Sequence, residues 1–175
     1  MLWLLSDERN DAALEAALDA LPPGSGFVFR HYHLALRDRR RRFDMLAQRA
    51  RAAGHCVVLA DRVALAEEWG ADGAYATAQD IAGVDSRLLA LATAHDVEEL
   101  AAAAAAGAHG VFLSPVFATR SHPEGKALGI DRFHDLARQS SVPVIALGGM
   151  TAARAKELQW QRWGAIDGLT RYALT

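Results

Sequence analysis

Two aspartates that follow strand-like segments could share a metal ion. Asp61 comes directly after the apolar run at 56–60, and Asp80 follows the next strand-like run. Mg²⁺ prefers one or two carboxylates together with phosphate oxygens of a substrate. The pair is therefore a candidate Mg²⁺ site. Spacing alone leaves a second interpretation open, in which Asp61 caps a helix that begins at Arg62 and Asp80 caps a turn at Ile81.

A pair of glycines before a predicted helix could bind an anion. Gly148 and Gly149 lie between an apolar run and Thr151, a residue type that caps helices. Backbone N–H groups at a helix N-terminus favour phosphate, because they point at the ligand and the helix dipole favours negative charge. A tight turn without a ligand is the other interpretation. The polar segment 117–129 is long enough to close over a bound molecule.

Other reactive residue types favour structural roles. His31 and His33 are a possible metal pair, although no third ligand is evident. The basic run 37–42 is typical of a solvated helix start, with a phosphate or partner patch as the alternative. Cys56 is the only cysteine, which excludes an intrachain disulfide and a CxxC zinc site. Structural packing is also expected for His55, His109, His134, Trp69, Trp160 and Trp163.

Apolar strand-like runs alternate with helical runs along the chain. Strands are predicted at 2–5, 27–32, 56–60, 73–76, 88–92, 110–116, 142–147 and 166–172. Helices are predicted at 11–21, 39–53, 63–69, 96–106, 130–139 and 151–163. A Gly-Ala ending recurs at three predicted helix-to-strand junctions, within 69–73, 106–110 and 163–168. This recurrence indicates one supersecondary unit that is used repeatedly.

The alternation favours an α/β fold with a parallel sheet, because near-continuous apolar strands are buried on both faces. Eight such units most simply close into a compact TIM (β/α)8 barrel. Sharing 175 residues among eight units leaves about 22 each, so we expect short helices and no final helix. An open doubly wound sheet is the alternative, but no GxGxxG follows the first strand.

The composition is that of one folded domain. Of 175 residues, 51% are hydrophobic and 23% are charged, which favours a packed core over intrinsic disorder. The formal net charge of −2 argues against a general nucleic-acid binder. No apolar run reaches the roughly 18 residues of a membrane span, and the start lacks signal-peptide features. We therefore expect one domain over 1–175, cytoplasmic, without nucleic-acid or membrane partners, and either monomeric or homo-oligomeric.

Four segments carry motifs of one known superfamily. Ser-Pro-Val-Phe-Ala-Thr-Arg-Ser-His at 114–122 is similar to the motif Gly-Pro-Val-Phe-x-Thr-x-Thr-Lys, and Val-Pro-Val-Ile-Ala-Leu-Gly-Gly-Met at 142–150 to Pro-Val-x-Ala-Ile-Gly-Gly-Ile. Segment 59–73, with Ala-Asp-Arg-Val and Gly-Ala-Asp-Gly, resembles Asn-Asp-Arg-Val and Gly-Ala-Asp-Gly-Val-His, and segment 95–100 resembles Ser-x-His-Thr-x-Glu-Glu-Ala. Through these motifs the chain resembles the thiamine phosphate synthase and thiazole tautomerase superfamily.

The resemblance implies a TIM barrel and a transfer reaction. A pyrimidinylmethyl pyrophosphate loses pyrophosphate, and the ring nitrogen of a thiazole phosphate captures the resulting cation. The matching positions imply Mg²⁺ on Asp61 and Asp80, catalytic roles for Arg30, Thr93 and His122, and substrate phosphate contacts from Thr119, Ser121, Gly148, Gly149 and Arg171. The expected partners are small phosphorylated substrates.

The chain departs from the family's pattern at several charged and polar positions. The family's Gln and Lys around Arg30 are Val28 and Tyr32, and its Asn before Asp61 is Ala60. Other departures are Tyr75 for His, Ala78 for Gln, His122 for Lys, and the 171–173 segment for Val-Val-Ser. Loss of two ammonium groups weakens the stabilisation of a departing pyrophosphate, and Arg171 and His122 are expected to compensate in part.

Two functional hypotheses follow, with a third reaction class as a further alternative. The first is a divergent thiamine phosphate synthase. The second is a non-catalytic relative that binds a phosphorylated ligand or a protein partner. A tautomerase-like isomerase that uses His122 is the third, although the tautomerase branch has His where this chain has Pro115.

Overall fold

The structure, a computed structural model, describes residues 1–83, 87–120 and 126–170. Eight parallel strands hydrogen bond in chain order, and the last pairs with the first to close a barrel. The strands are β1 (Leu2–Leu5), β2 (Gly26–Phe29), β3 (Cys56–Leu59), β4 (Gly73–Ala76), β5 (Leu89–Ala94), β6 (Gly110–Leu113), β7 (Val144–Ala146) and β8 (Trp163–Ala165). The TIM-barrel prediction is confirmed.

Most of the helices that connect the strands are short, as the chain length predicts, but one helix has 17 residues. They are α1 (Leu14–Ala20), α2 (Leu36–Ala52), α3 (Val63–Glu68), α4 (Ala78–Ile81), α5 (Val97–Ala105), α6 (Gly129–Gln139) and α7 (Ala152–Glu157), and a 3-10 helix at Glu8–Ala13 precedes α1. Side chains of Thr77, Asp96 and Thr151 cap α4, α5 and α7 by accepting backbone N–H bonds. Gly70 and Gly107 end α3 and α5 with a left-handed backbone.

The predicted boundary between the last helix and the last strand is wrong. Helix α7 ends at Glu157 rather than at 163, and Trp163 already belongs to β8, paired with Leu2. Gly164 therefore does not end a helix. A Cβ atom on Gly164 would lie 3.0 Å from Leu5 Cδ1, so this position leaves little room for a side chain inside the barrel.

Strand β2 is also shorter than the predicted 27–32. It ends at Phe29, and His31 adopts a left-handed backbone with φ of 35°. Hydrogen bonds of His31 and of the Arg30 N–H stabilise this turn. The spacing of apolar residues in the sequence carries no information about such polar contacts.

The core has an inner and an outer layer because successive strand residues point to opposite faces. The inner layer fills the barrel with Trp3, Leu5, Val28, Val58, Ala60, Leu91, Phe112 and Ile145. The rings of Trp3 and Phe112 meet edge to face with centroids 5.7 Å apart. The period of two places Arg30, two residues after Val28, and Thr93, two after Leu91, on the inward side at the carboxyl ends of their strands.

In the described ranges, no helix is both long and apolar enough to cross a membrane.

Candidate active site

The main chain of Arg30 is held from two sides at the carboxyl end of β2. Its N–H donates to Ser6 Oγ at 2.7 Å, and its carbonyl accepts from Arg39 Nε at 2.9 Å. The guanidinium is 22% exposed and lies 3.7 Å from a carboxylate oxygen of Asp7. The predicted catalytic arginine thus has a fixed backbone and a side chain that reaches the mouth of the barrel.

A buried polar chain supports the turn that carries Arg30. The Ser6 hydroxyl lies 2.7 Å from His31 Nδ1, and His31 Nε2 lies 2.7 Å from Asp11. The His31 ring stacks on Phe29 with centroids 4.7 Å apart. Both ring nitrogens are occupied, so the metal-pair interpretation of His31 and His33 is wrong. Burial lowers the pKa of His31 and outweighs the raising effect of Asp11.

Arg39 is buried, although the sequence predicts a solvated basic run at 37–42. Its guanidinium donates to three acceptors: the Arg30 carbonyl at 2.9 Å, the Ala60 carbonyl at 2.9 Å and Asp61 Oδ2 at 2.7 Å. The guanidinium carbon also lies 5.2 Å from the centre of the Tyr32 ring. One side chain therefore joins the carboxyl ends of β2 and β3 and contacts two predicted site positions.

Asp61 does not cap a helix. The residue at the N-cap of α3 is Arg62, which makes no side-chain cap, and the Arg62 N–H donates to Asp61 Oδ1 at 2.9 Å. The Asp61 side chain is 27% exposed, so it keeps acceptor capacity toward solvent.

Asp80 lies in the first turn of α4 and is exposed. Thr77, and not Asp80, caps this helix, and the Thr77 hydroxyl donates to Asp80 Oδ2 at 2.7 Å. In the described part of the chain, Asp80 has no ion-pair partner. Asp61 and Asp80 follow neighbouring parallel strands, β3 and β4, on the same rim.

Tyr75 and Thr93 form a polar pair inside the mouth of the barrel. They lie on the neighbouring strands β4 and β5, and Tyr75 meets Phe112 edge to face with centroids 5.2 Å apart. Burial raises the pKa of the Tyr75 phenol. A hydrogen bond with Thr93 and the charge of Arg30 lower it, but the effect of burial is larger. The phenol therefore stays protonated at neutral pH and can donate a hydrogen bond.

Tyr32 lies beside both arginines, with its ring centre 5.8 Å from the guanidinium carbon of Arg30 and 5.2 Å from that of Arg39. Desolvation raises the pKa of the Tyr32 phenol above its usual value, and Tyr75 and Asp61 raise it further. The charges of Arg30 and Arg39 act in the opposite direction. The ring itself remains 60% exposed. Arg30, Arg39, Asp61 and Tyr75 thus share one side of the mouth.

The Gly148-Gly149 turn has a geometry that only glycine fits. The φ angles are 93° and 62°, in the left-handed region. A Cβ on Gly148 would lie 2.6 Å from Pro115 Cα, and one on Gly149 would lie 2.5 Å from the Ala118 carbonyl oxygen. The turn is therefore packed directly against the start of the polar segment 117–129.

In the described part of the chain, the carbonyl groups of this turn accept hydrogen bonds from protein donors, whereas its amide groups have no protein acceptor. Phe117 N–H donates to the Gly148 carbonyl at 3.1 Å, and Arg154 Nη1 donates to the Gly149 carbonyl at 2.5 Å. Within 1–83, 87–120 and 126–170, neither glycine N–H has a protein acceptor. Such amides can bind an anion.

Three predicted site residues, Ser121, His122 and Arg171, lie outside the described residues. Thr119 is described and partly buried, two residues after Phe117 in the same segment. The structural expectation for His55, His109 and His134 agrees with their hydrogen bonds to backbone groups of Leu18, Ala90 and Leu158.

Arg39 is the site residue that the sequence reasoning missed, and helical periodicity contains the signal. The buried residues of α2 include Arg39, Phe43, Leu46 and Ala50, spaced by four, three and four. Counting back four residues from Phe43 places Arg39 on the buried face. No periodic pattern in the sequence predicts the hydrogen-bonded chain of Ser6, His31 and Asp11, because its members come from three separate segments.

A family model for thiamine monophosphate synthase matches residues 2–165. This chain belongs to the thiamine monophosphate synthase family. A thiamine-phosphate synthase of Chloroflexus aurantiacus is 29% identical over 163 residues, 88% of this chain and 74% of the relative. One of Haloarcula marismortui is 32% identical over 155 residues, with 81% and 72% coverage.

Other comparisons are local or concern the fold. A putative thiamine-phosphate synthase 2 of Aquifex aeolicus is 38% identical over 64 residues, which cover 37% of this chain and only 34% of that relative. The solved thiamine phosphate pyrophosphorylase of Pyrococcus furiosus superposes with a TM-score of 0.81 at 19% identity, covering 98% of this chain and 91% of that one. At this identity the likeness shows the shared barrel.

Arg39 contacts two positions at which the chain departs from the family motif. Tyr32 replaces the motif lysine, and its ring lies over the Arg39 guanidinium. Ala60 replaces the motif asparagine, and its carbonyl accepts from Arg39. A cation and a hydrogen-bond donor are therefore present beside Asp61, supplied from α2 rather than from the strand ends.

Proposed function

We propose that this protein is a thiamine phosphate synthase-like transferase. It joins a pyrimidinylmethyl pyrophosphate to a thiazole phosphate and releases pyrophosphate. One observation carries the proposal. The cluster around Arg30 and Asp61 and the Gly148-Gly149 turn lie at the same rim of the barrel, in a chain that belongs to this family. The cluster can bind a pyrophosphate, and the turn can bind a phosphate.

The reaction breaks the bond between the pyrimidinylmethyl carbon and the pyrophosphate oxygen. The electron pair leaves with pyrophosphate, and the thiazole nitrogen then forms a bond to the same carbon and becomes positively charged. Arg30 binds the leaving group and stabilises the charge that develops on it. Removal of one such donor costs about 2.7–4 kcal/mol in comparable sites.

The carboxylates of Asp61 and Asp80 fit a Mg²⁺ ion. Both keep acceptor capacity toward solvent and follow neighbouring strands on one rim. In the described ranges no three His, Cys, Asp or Glu side chains could hold a metal, so phosphate oxygens of the substrate would complete the coordination, as Mg²⁺ favours. When bound, the ion supplies positive charge to the pyrophosphate.

The Gly148-Gly149 amides hold the phosphate of the thiazole substrate. Their N–H groups have no protein acceptor in the described residues, and the turn packs on the segment that carries Thr119. Thr119 and Ser121 contribute hydroxyl groups to the same phosphate, and Arg171 contributes positive charge. His122 binds the pyrophosphate together with Arg30. Thr93 and Tyr75 line the mouth beside Arg30, and Thr93 acts there as a catalytic residue.

The first experiment is turnover by the purified protein with both substrates and Mg²⁺. We expect thiamine phosphate, and we expect Asp61→Ala to lower the rate by about 100-fold or more, because a carboxylate that positions charge on the leaving group is lost. Asp44→Ala is the matched control, since Asp44 is an exposed carboxylate on α2 that pairs only with Arg40 among its described contacts. Equal rates for Asp61→Ala and the wild type would contradict the assignment.

A phosphate-binding relative without transferase activity is the second candidate. It is favoured by Val28 and Tyr32, which replace the motif's Gln and Lys on both sides of Arg30. Calorimetric binding of a thiazole phosphate with no turnover under any metal condition would support this candidate over the first. A cytoplasmic location remains a prediction, as does an oligomeric state of either one chain or several identical chains.

A further inference from the structure

The Arg39 side chain is buried, and within the described part of the chain its three hydrogen bonds all go to groups of the candidate active site. Its side chain is only 7% exposed, below the rim and between α2 and the barrel. Burial of a guanidinium costs free energy unless hydrogen bonds and a counter-charge offset it. Here the offset comes from the Arg30 carbonyl, the Ala60 carbonyl and the Asp61 carboxylate.

We propose that Arg39 is a positioning residue that aligns Arg30 and Asp61 for a magnesium pyrophosphate group. This inference rests on the proposed function. Arg39 fixes the peptide that carries the Arg30 side chain and occupies Asp61 Oδ2. The other carboxylate oxygen, Oδ1, accepts the Arg62 N–H and keeps a lone pair for the ligand. The Arg30 guanidinium and this oxygen then face the ligand in fixed positions.

The geometry requires arginine rather than any cation. The three acceptors belong to the ends of two strands, and only a planar fork of N–H groups on separate nitrogens meets all three at 2.7–2.9 Å. Aromatic rings hold the fork in place, since the guanidinium carbon lies 5.2 Å from the Tyr32 ring and 5.5 Å from the Trp69 ring. A lysine ammonium at this position satisfies one acceptor well and leaves the others unpaired.

The neighbouring Arg40 provides a matched control. It lies on the same helix, and its guanidinium carbon is also 5.5 Å from the Trp69 ring. Its Nε donates to Asp44 at 2.9 Å, on the exposed side of α2, so it contacts neither Arg30 nor Asp61. Arg40→Met therefore removes the same charge and a similar ring contact without touching the site.

The experiment measures binding of magnesium and inorganic pyrophosphate by calorimetry, after circular dichroism and thermal unfolding have identified the folded variants. We expect Arg39→Met and Arg39→Lys to weaken binding by about 10- to 100-fold, the usual effect of losing a residue that orients a metal-binding carboxylate. Arg40→Met is expected to bind as the wild type does. Wild-type affinity in Arg39→Met would overturn the inference.

A double-variant cycle separates positioning from a general electrostatic effect. If Arg39 acts through Asp61, Arg39→Met adds little to the loss already caused by Asp61→Ala, because the oriented carboxylate is absent. Fully additive losses would overturn the inference.

A measurement on the wild type covers the case in which the Arg39 variants do not fold. Magnesium pyrophosphate is expected to shift the NMR resonance of Arg39 Nε in the wild type and not in Asp61→Ala, and an unshifted wild-type resonance would overturn the inference. A wild type that binds no magnesium pyrophosphate overturns the proposed function together with this inference. A wild type that binds, with Arg39 variants that bind equally well, overturns this inference alone.

Discussion

At the scale of single residues, the side chains that support the site bond mainly to protein groups. Ser6, His31 and Arg39 have buried polar atoms that contact the Arg30 backbone or the groups next to it. Their contribution to the site is orientation, because their donors and acceptors point at other protein groups. The residues that face the mouth, Arg30 and Asp61, remain partly exposed.

The buried His31 predicts a pH dependence of stability. Burial lowers the pKa of folded His31 below 6.5, whereas in the unfolded chain histidine takes up a proton near pH 6.5. The unfolded state therefore binds more protons as the pH falls below about 6.5. The free energy of unfolding should decrease there, by at most about 1.4 kcal/mol per pH unit, until folded His31 also protonates.

Urea unfolding of the wild type and of His31→Gln between pH 7.5 and 5.5 checks this prediction. The wild type is expected to lose stability faster with falling pH than the variant. The window stays above the range in which the carboxyl groups with lowered pKa values, such as Asp11 and Glu15, begin to contribute. Parallel curves for the two proteins would show that His31 does not carry the effect.

At the scale of elements, the turn after β7 shows how a local backbone shape and a tertiary contact combine. Thr151 caps α7, and the two preceding glycines adopt left-handed conformations that bring their backbone against the Pro115–Ala118 stretch. The turn and the polar segment therefore stabilise each other through this close packing, and both belong to the proposed phosphate site.

Gly149→Ala tests this arrangement. The substitution introduces left-handed strain, about 1–2 kcal/mol, and adds a clash with the Ala118 carbonyl 2.5 Å away. We expect a loss of stability greater than the strain alone, together with loss of thiazole phosphate binding, measured by urea unfolding and calorimetry.

Gly24→Ala is the control for the strain component. Gly24 has φ of 79°, and a Cβ atom there would meet nothing within 4 Å. Gly24→Ala should lower the free energy of unfolding by the left-handed strain alone, and it should leave thiazole phosphate binding unchanged. A Gly149→Ala protein that matches Gly24→Ala in both measurements would contradict the proposed contact and the proposed phosphate site.

At the scale of the whole molecule, closing eight strands around one core demands small residues where large rings cross the barrel. The Gly26 backbone packs against the Trp3 ring, and a Cβ atom on Gly26 would lie 2.2 Å from Trp3 Cε3. Trp3 in turn meets Phe112 on the opposite side. The eight buried side chains of the inner layer therefore include two large rings, Trp3 and Phe112, and glycines on the strands make room for them.

Gly26→Ala should be strongly destabilising, by about 3 kcal/mol or more, because overpacking forces a buried ring to move. Gly164→Ala should cost less, since its nearest contact is the end of the flexible Leu5 side chain at 3.0 Å. Urea unfolding midpoints of the two variants measure the difference. An equal or reversed order would contradict the description of the inner layer.

Local sequence patterns determine most of the barrel. The strands β1, β4 and the start of β3 agree with the predicted bounds, because short apolar runs with polar breaks are local signals. The glycines at 70 and 107 end their helices as predicted. The sequence predicts site positions at Arg30, Asp61, Thr93, Gly148 and Gly149, because they follow strand-like runs and match motif positions of the family. Their roles in binding remain predictions.

Tertiary structure decided what the local patterns could not. Gly164 has the sequence context of a helix stop, but the crowded barrel interior makes it a strand residue. Arg39 stands in a basic run that is typical of solvent exposure, but acceptors 9, 21 and 22 residues away in sequence bury it. Sequence fixes local conformation through neighbouring residues, whereas burial and hydrogen bonding of a polar group depend on distant segments that meet only in the folded barrel.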